Sequence, residues 1–135
     1  MEKYTLSNDK KVFGIRVKTF PLGIGEAFGS LAEMISEGYD RSYYGIGQMM
    51  NNEVVYIAAA EEKYEGEAEK YNCESYTIEK GEYLIEMIRD WRQKTDSIKD
   101  VFNEMMRDTR FDNTQPCIEW YKDDDEMLCL VKSKK

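Results

Sequence analysis

The sequence contains no histidine, and this absence excludes several classes of mechanism. None of its 135 residues is His. Nucleophile activation by Ser-His-Asp or Cys-His groups, His-ligated zinc and imidazole-based pH switching are therefore all excluded. Most familiar hydrolase mechanisms are excluded with them.

Cysteine is scarce as well. The chain has three cysteines, an odd number, and they are never spaced as C-x-x-C: Cys73, Cys117 and Cys129. Neither a disulfide framework nor a thiolate metal site is therefore indicated. The acidic segment 123–126 lacks the glycine and the alternating ligands of a calcium loop and predicts a hairpin turn. We expect reduced thiols, no metal and no cofactor.

Long apolar segments and a basic surface are also missing. The longest apolar run, 54–60, is far shorter than the ~20 residues of a membrane span, and residues 1–11 lack the apolar core of a signal peptide. The 27 acidic and 19 basic side chains give a net charge of −8. Because phosphate-backbone binding needs clustered Lys and Arg, we expect no direct nucleic-acid partner, no membrane partner and a cytoplasmic location.

Aromatic and soft apolar side chains, in contrast, are abundant. Apolar residues make up 41% of the chain and charged residues 34%, as in ordinary globular proteins, and there are ten Tyr, five Phe, two Trp and eight Met. Such side chains line pockets as readily as they fill cores. A chain of this length forms one domain or two small repeats.

Apolar periodicity and turn residues predict an alternation of strands and helices. A capping box at Ser97 and Asp100 indicates the start of the second helix, Gly38 the end of the first, and Asn51-Asn52 a tight hairpin turn. The acidic run 61–74 predicts a solvated loop. The predicted strands are 12–20, 43–50, 53–62, 75–79, 82–88, 117–122 and 127–132, and the predicted helices are 22–37 and about 95–108.

This order reads as βαββ twice. Ile15 aligns with Ile85 at an offset of 70 and Ile46 with Ile118 at 72, while 54–57 aligns with 127–130 at 73. We predict an α+β fold with a tandem βαββ repeat, pseudo-twofold symmetry, antiparallel sheets, two helices and a central cleft. Repeat one covers about 11–62, an acidic linker about 63–74 and repeat two about 75–133, within a single domain spanning 1–135.

One acidic residue lies in an apolar strand. Because side chains alternate along a strand, Glu119 shares a face with Tyr121, and Ile118 shares the other face with Trp120. The Glu119 face is either open to solvent or sheltered in an aromatic pocket. A sheltered acid requires a cation or hydrogen bonds, which tyrosine hydroxyls donate, and aromatic rings attract organic cations.

Four segments resemble the signature segments of the GyrI-like small-molecule-binding domains, which are also the effector-binding domains of multidrug-responsive transcription activators. The resemblance spans about 11–132. The segments are Tyr44-Gly45-Ile46, Val55-Tyr56-Ile57-Ala58-Ala59, Ile78-Glu79-Lys80-Gly81-Glu82-Tyr83 and Ile118-Glu119-Trp120-Tyr121.

The resemblance implies a tandem βαββ fold whose central cleft accepts bulky, lipophilic, often cationic compounds. It places the glutamate of an E-x-Y strand near the cleft floor, which here is Glu119 with Tyr121 beside it. The other residues expected around the cleft are Phe28, Tyr44, Tyr56, Tyr83 and Trp91. Since no helix-turn-helix region precedes residue 11, we expect a stand-alone domain without direct transcriptional control.

Three functions remain open at this point. The first is a binding protein that captures lipophilic cations. The second is a hydrolase of reactive, cyclopropane-type toxins, as the resemblance also suggests, with Glu119 as general base and Tyr121 as acid. The third is an acidic inhibitor of a DNA-handling enzyme such as gyrase, which leaves a protein partner open. The sequence favours binding over enzymatic activity and does not define the physiological ligand or the oligomeric state.

Overall fold

The regular elements are eight strands and three helices, in a computed structural model that describes residues 2–17, 23–35, 41–50, 53–123 and 125–134. The strands are β1 (Glu2–Leu6), β2 (Lys10–Val17), β3 (Tyr43–Met50), β4 (Glu53–Glu61), β5 (Glu74–Ile78), β6 (Gly81–Arg89), β7 (Cys117–Tyr121) and β8 (Glu126–Lys132), and the helices are α1 (Ile24–Met34), α2 (Glu67–Lys70) and α3 (Thr95–Met105). None of the helices in these ranges is long and apolar enough to cross a bilayer.

All eight strands form a single antiparallel sheet in the order β1-β6-β8-β7-β3-β4-β2-β5. This order reads symmetrically outwards from the central pair β7 and β3, so that β8 corresponds to β4, β6 to β2 and β1 to β5. The sheet is curled into a half-barrel. The predicted α+β class is confirmed, while the repeat boundaries stay a prediction.

One edge strand was not predicted, and the other was predicted as an edge strand of repeat two but pairs with a strand of the N-terminal half. β1 was not predicted, because residues 2–6 alternate weakly, yet they pair with β6 in the C-terminal half. β5 pairs with β2 in the N-terminal half. The offset of 70 between Ile15 and Ile85 is wrong. Across the sheet, Ile15 is aligned in turn with Ala58, Gly45, Glu119, Cys129 and Glu86, so these six residues share one face. Ile85, next to Glu86, lies on the opposite face and is therefore not the equivalent of Ile15.

Both long helices cover the same face of the sheet, which we call the helix face. On α1, Ala27 and Leu31 are buried against β2 and β4. On α3, Ile98 and Phe102 are buried against β6 and β8. The three larger side chains, Leu31, Ile98 and Phe102, each contribute roughly 1.5–3 kcal/mol to folding. The helices leave β3 and β7, in the middle of the sheet, between them.

The opposite, concave face carries the largest apolar cluster. Tyr4 and Leu6 on one edge strand and Ile78 on the other contribute to the same cluster and line the same cavity, as the curl of the sheet requires. On this face of β2, a side chain at Gly14 would overlap the carbonyl oxygen of Ala58 on the neighbouring strand β4.

The acidic segment was predicted to be a solvated loop throughout, and this prediction is wrong for part of it. Residues 67–70 form α2, and Glu67 is fully buried. Its carboxylate lies 2.8 Å from the Arg41 guanidinium, which is also buried and donates to the Glu61 carbonyl. Periodicity over a few charged residues could not reveal this ion pair, because its basic partner lies far away in the sequence.

The helix signals gave mixed outcomes. Ser97 and Asp100 do not form a capping box, because α3 begins earlier and the Ser97 hydroxyl donates to the Lys94 carbonyl. Gly23 lies at the start of α1 with φ of 86°, a conformation that glycine adopts readily. The predicted turn at Asn51-Asn52 and the stop at Gly38 fall outside the described residues.

Candidate functional site

Glu119 lies in the central strand pair, on the helix face and between the two long helices. It pairs with Gly45 on β3 and with Cys129 on β8. The solvent-face interpretation of Glu119 is therefore not supported, because the same face carries the buried contacts of both helices. The residue keeps some exposure, while its carboxyl group is sheltered.

Two tyrosine hydroxyls donate to the same oxygen of this carboxylate. Tyr56 on β4 donates to Glu119 Oε1 at 2.5 Å, and Tyr121 on β7 donates to it at 3.1 Å. The bond from Tyr56 crosses β3 above Gly45, where a Cβ atom would overlap both Glu119 Oε1 and the Tyr56 hydroxyl. The missing side chain of Gly45 therefore makes room for the cluster.

No basic side chain in the described part of the protein balances the charge of Glu119. Burial raises the pKa of its carboxyl group, and the hydrogen bonds from Tyr56 and Tyr121 offset only part of this effect. Within the described residues, no Lys or Arg forms an ion pair with it. Burial and the nearby carboxylate also raise the pKa of both tyrosines, so they remain hydrogen-bond donors at neutral pH.

Aromatic rings surround the cluster. Tyr121 contacts Phe28 of α1 at 5.6 Å between ring centroids, and it contacts Trp91 at 4.8 Å. Phe28 also contacts Tyr43 edge-on at 6.4 Å. The negative ring faces that such a cluster presents attract organic cations.

The acidic turn between β7 and β8 holds Trp91 in place. The indole N–H of Trp91 donates to the Asp123 carbonyl at 2.9 Å, and the backbone N–H of Asp90 donates to the Asp125 carboxylate. Asp123 also accepts from the backbone N–H groups of Asp125 and Glu126. The predicted hairpin turn is present in its described residues, and it positions a ring beside Tyr121.

Five of the seven residues predicted for the site come together: Glu119, Tyr121, Tyr56, Trp91 and Phe28. Tyr44 and Tyr83 do not. They are each 2% exposed and belong to the cluster of the concave face. Tyr44 stacks on Trp120 there, and the Tyr83 hydroxyl donates to the Glu79 carbonyl.

The sequence reasoning missed Tyr43 and Gly45. Alternation along β3 places both on the face opposite to Tyr44, so the register of β3 against Glu119 would have selected them. That register depends on which strands lie at the centre of the sheet, and the sequence does not reveal this.

Two cysteines flank Glu119 on the same face. Burial, with the nearby carboxylate, raises the pKa of Cys117 to about 11 and that of Cys129 to about 12. Both thiols are therefore protonated at neutral pH and are poor nucleophiles. All three cysteines are free.

The rings of Phe28 and Trp91 lie against Tyr121, beside Glu119. Two small cavities lie elsewhere, one on the concave face around Trp120 and one near Lys132 and Tyr83. A bulky ligand above Glu119 would therefore have to move the side chains of Phe28, Tyr121 and Trp91 apart.

Comparison with known proteins gives structural matches only; neither a family model nor a curated protein matches the chain. An integron cassette protein from the mobile metagenome of Vibrio cholerae is 13% identical with a TM-score of 0.67, over 98% of this chain and 95% of its own. SAV2435, solved bound to tetraphenylphosphonium, is 11% identical with a TM-score of 0.65, over 98% and 93%. The chain shares their fold.

A candidate transcription regulation protein from Staphylococcus aureus MU50 has the same fold, with 12% identity and a TM-score of 0.59 over 98% of this chain and 97% of its own. In all three cases the match extends over nearly the whole of both chains. The likeness therefore includes both halves of the sheet and the helices, and at these identities it establishes the fold alone.

Proposed function

We propose that the protein binds bulky, lipophilic organic cations on the helix face, above Glu119, as a member of the GyrI-like small-molecule-binding domains. The observation that carries this proposal is the sheltered carboxylate of Glu119, which has two tyrosine donors and no basic partner within the described residues. A buried charge without a counter-charge is costly, and a bound cation supplies the missing charge.

The surrounding rings suit a lipophilic cation in particular. A delocalised cation about 5 Å from Glu119 gains on the order of 3 kcal/mol at an effective dielectric constant of ~20. Each ring face adds about 0.5–2 kcal/mol. Small hydrated cations gain less from the same rings, because they must first lose their water.

One structural neighbour supports the choice of ligand class. SAV2435, which has the same fold, was solved with tetraphenylphosphonium. We use this cation as the probe, because its charge is fixed and because tetraphenylborate has nearly the same shape with the opposite charge.

The experiment is a calorimetric titration of the protein with each of these two ions. We expect the phosphonium to bind and the borate not to bind at this site. Glu119→Gln should weaken phosphonium binding by more than about tenfold, since it removes the charge and keeps the shape. Glu53→Gln, which removes the same charge from an exposed position on β4, is the matched control. Equal affinity of Glu119→Gln and the wild type would refute the proposal.

The pH dependence provides a second readout. The pKa of Glu119 is raised, so protonation of the free site competes with binding until the pH exceeds that raised value. Phosphonium affinity should therefore increase with pH above about 4.5, the ordinary value for Glu, and release a proton on binding. With no histidine in the chain, no imidazole contributes to this dependence. Glu119→Gln should remove the dependence.

Hydrolysis of a bound compound is the second candidate. Both tyrosines donate to Oε1, and no described residue donates to Oε2 of Glu119. This leaves Oε2 available to accept a proton from water, the role of a general base. A hydrated product detected by mass spectrometry, and lost in Glu119→Gln, would favour this candidate over simple binding.

A further inference from the structure

We propose a second ligand site on the concave face, for small planar aromatic anions such as arene carboxylates or sulfonates. This site goes beyond the proposed function, because it lies on the other face of the sheet and selects the opposite charge. It combines a cavity, a buried donor without an acceptor and two lysines around one aromatic ring.

The cavity lies inside the curl of the sheet. Apolar and aromatic side chains from both edges and from the centre of the sheet line it: Tyr4, Leu6, Tyr44, Ile78, Trp120 and Leu130. The cavity is small and opens to solvent. We expect a ligand to place one flat ring against these side chains and its polar substituent at the mouth.

A hydrogen-bond donor in this wall has no acceptor. The indole Nε1 of Trp120 is buried, and it donates no hydrogen bond within the described part of the chain. Burying a polar group is unfavourable unless it is hydrogen-bonded. A ligand oxygen that reaches this N–H would satisfy it.

Positive charge is concentrated around the same ring. Lys10 Nζ lies 5.3 Å and Lys122 Nζ 5.7 Å from the centroid of the Trp120 ring. Among the described residues, the acidic partner of Lys10 is Glu61, with 3.6 Å between Nζ and the carboxylate. On a chain with a net charge of −8, two lysines over one indole select an anionic group, and the indole N–H supplies its direction.

A neighbouring cavity extends this site. It shares Ile78 and Ile118 with the first one. Its lining also includes Lys132 and Glu79, whose carboxylate lies 3.8 Å from Lys132 Nζ. A two-ring ligand could follow this groove along the sheet. A naphthalene carboxylate is therefore a better probe than benzoate.

The test uses the two tryptophans as separate reporters. The chain has two Trp residues, so the proton spectrum shows two indole N–H signals, which Trp91→Phe assigns. Titration with 2-naphthoate should shift the Trp120 signal downfield to saturation, as expected when the N–H gains an acceptor. Tetraphenylphosphonium should shift the Trp91 signal instead. The two proposals can therefore fail independently.

Charge variants test the selection of an anion. Lys10→Met and Lys122→Met should each weaken 2-naphthoate binding by about two- to fivefold, the effect of one partly screened charge. Lys99→Met, exposed on α3, is the matched control, and uncharged 2-naphthamide should bind more weakly than the acid. A 2-naphthoate shift at Trp91 alone, no saturation at Trp120, or wild-type affinity in both lysine variants would overturn the proposal.

Discussion

The space at Gly45 provides the sharpest test of the Glu119 cluster. In Gly45→Ala, the new methyl group would overlap both Glu119 Oε1 and the Tyr56 hydroxyl. At Gly47, two residues further along the same strand and on the same face, an added Cβ would lie 3.7 Å from Tyr56 Cδ2, which is ordinary contact. The two substitutions are chemically identical, so the difference between them isolates the cluster.

The expected magnitudes follow from these contacts. Replacing Gly by Ala within a strand stabilises by about 0.5–1 kcal/mol through the unfolded chain. Gly47→Ala should gain this amount. At Gly45 overpacking costs about 1–3 kcal/mol, and loss of the bond between Tyr56 and Glu119 costs about 1.5–3 kcal/mol. Because Glu119 can shift in part, we expect Gly45→Ala to be destabilised by about 1–3 kcal/mol.

Urea unfolding, followed by circular dichroism, measures both variants under the same conditions. The difference in unfolding free energy between Gly45→Ala and Gly47→Ala should be about 1.5–4 kcal/mol, the sum of these effects. Gly45→Ala should also bind tetraphenylphosphonium more weakly, since its Glu119 is displaced. Equal stability of the two variants would show that Glu119 does not point across β3 to Tyr56.

Two further predictions concern stability away from the site. Glu67→Gln should destabilise by about 3–5 kcal/mol at neutral pH, because it leaves Arg41 buried without its counter-charge. Burial opposes the charge of Glu67, yet the hydrogen bond from Arg41 holds the pKa of Glu67 below the ordinary value for Glu. The stability that Glu67 contributes is therefore fully present above the ordinary pKa and is lost as the pH falls through the lowered pKa. Gly29→Ala should stabilise by about 1 kcal/mol, because Gly29 is exposed in α1 with nothing near its Cβ position.

Urea unfolding at neutral and acid pH measures both effects. Glu69→Gln, in the same helix and exposed, is the control for Glu67 and should change stability little. If Glu67→Gln and the wild type lose stability equally in acid, Glu67 does not have a lowered pKa in the folded protein. A destabilised Gly29→Ala would mean that a side chain at this position meets a neighbour.

Most of the fold could be predicted from the sequence, because the strands and long helices follow their apolar periodicity. The hairpin strands β3 and β4 and the last two strands agree with prediction to within about two residues. β1 was missed because its contribution is made at long range, through β6. α2 was missed because it is one turn long and a buried ion pair between Glu67 and Arg41 holds it, which periodicity does not show.

The candidate site was predictable in its chemistry and less so in its membership. Alternation placed Glu119 and Tyr121 on one face, and the family resemblance led to Tyr56, Trp91 and Phe28. Tyr44 was expected at the site in place of Tyr43. Neighbouring residues in a strand face opposite sides of the sheet, so an error of one residue in the expected position selects the wrong face. Only the pairing of β3 with β7 settles this choice.

The exchange of edge strands has a consequence for the integrity of the molecule. β1, from the start of the chain, pairs with β6, and β5 pairs with β2. Each half therefore clasps the other by a strand, besides the contact between β3 and β7. A protease nick in the exposed segment 63–66 would leave two fragments interlocked by these three strand pairs, so they should co-migrate on gel filtration and separate only in denaturant.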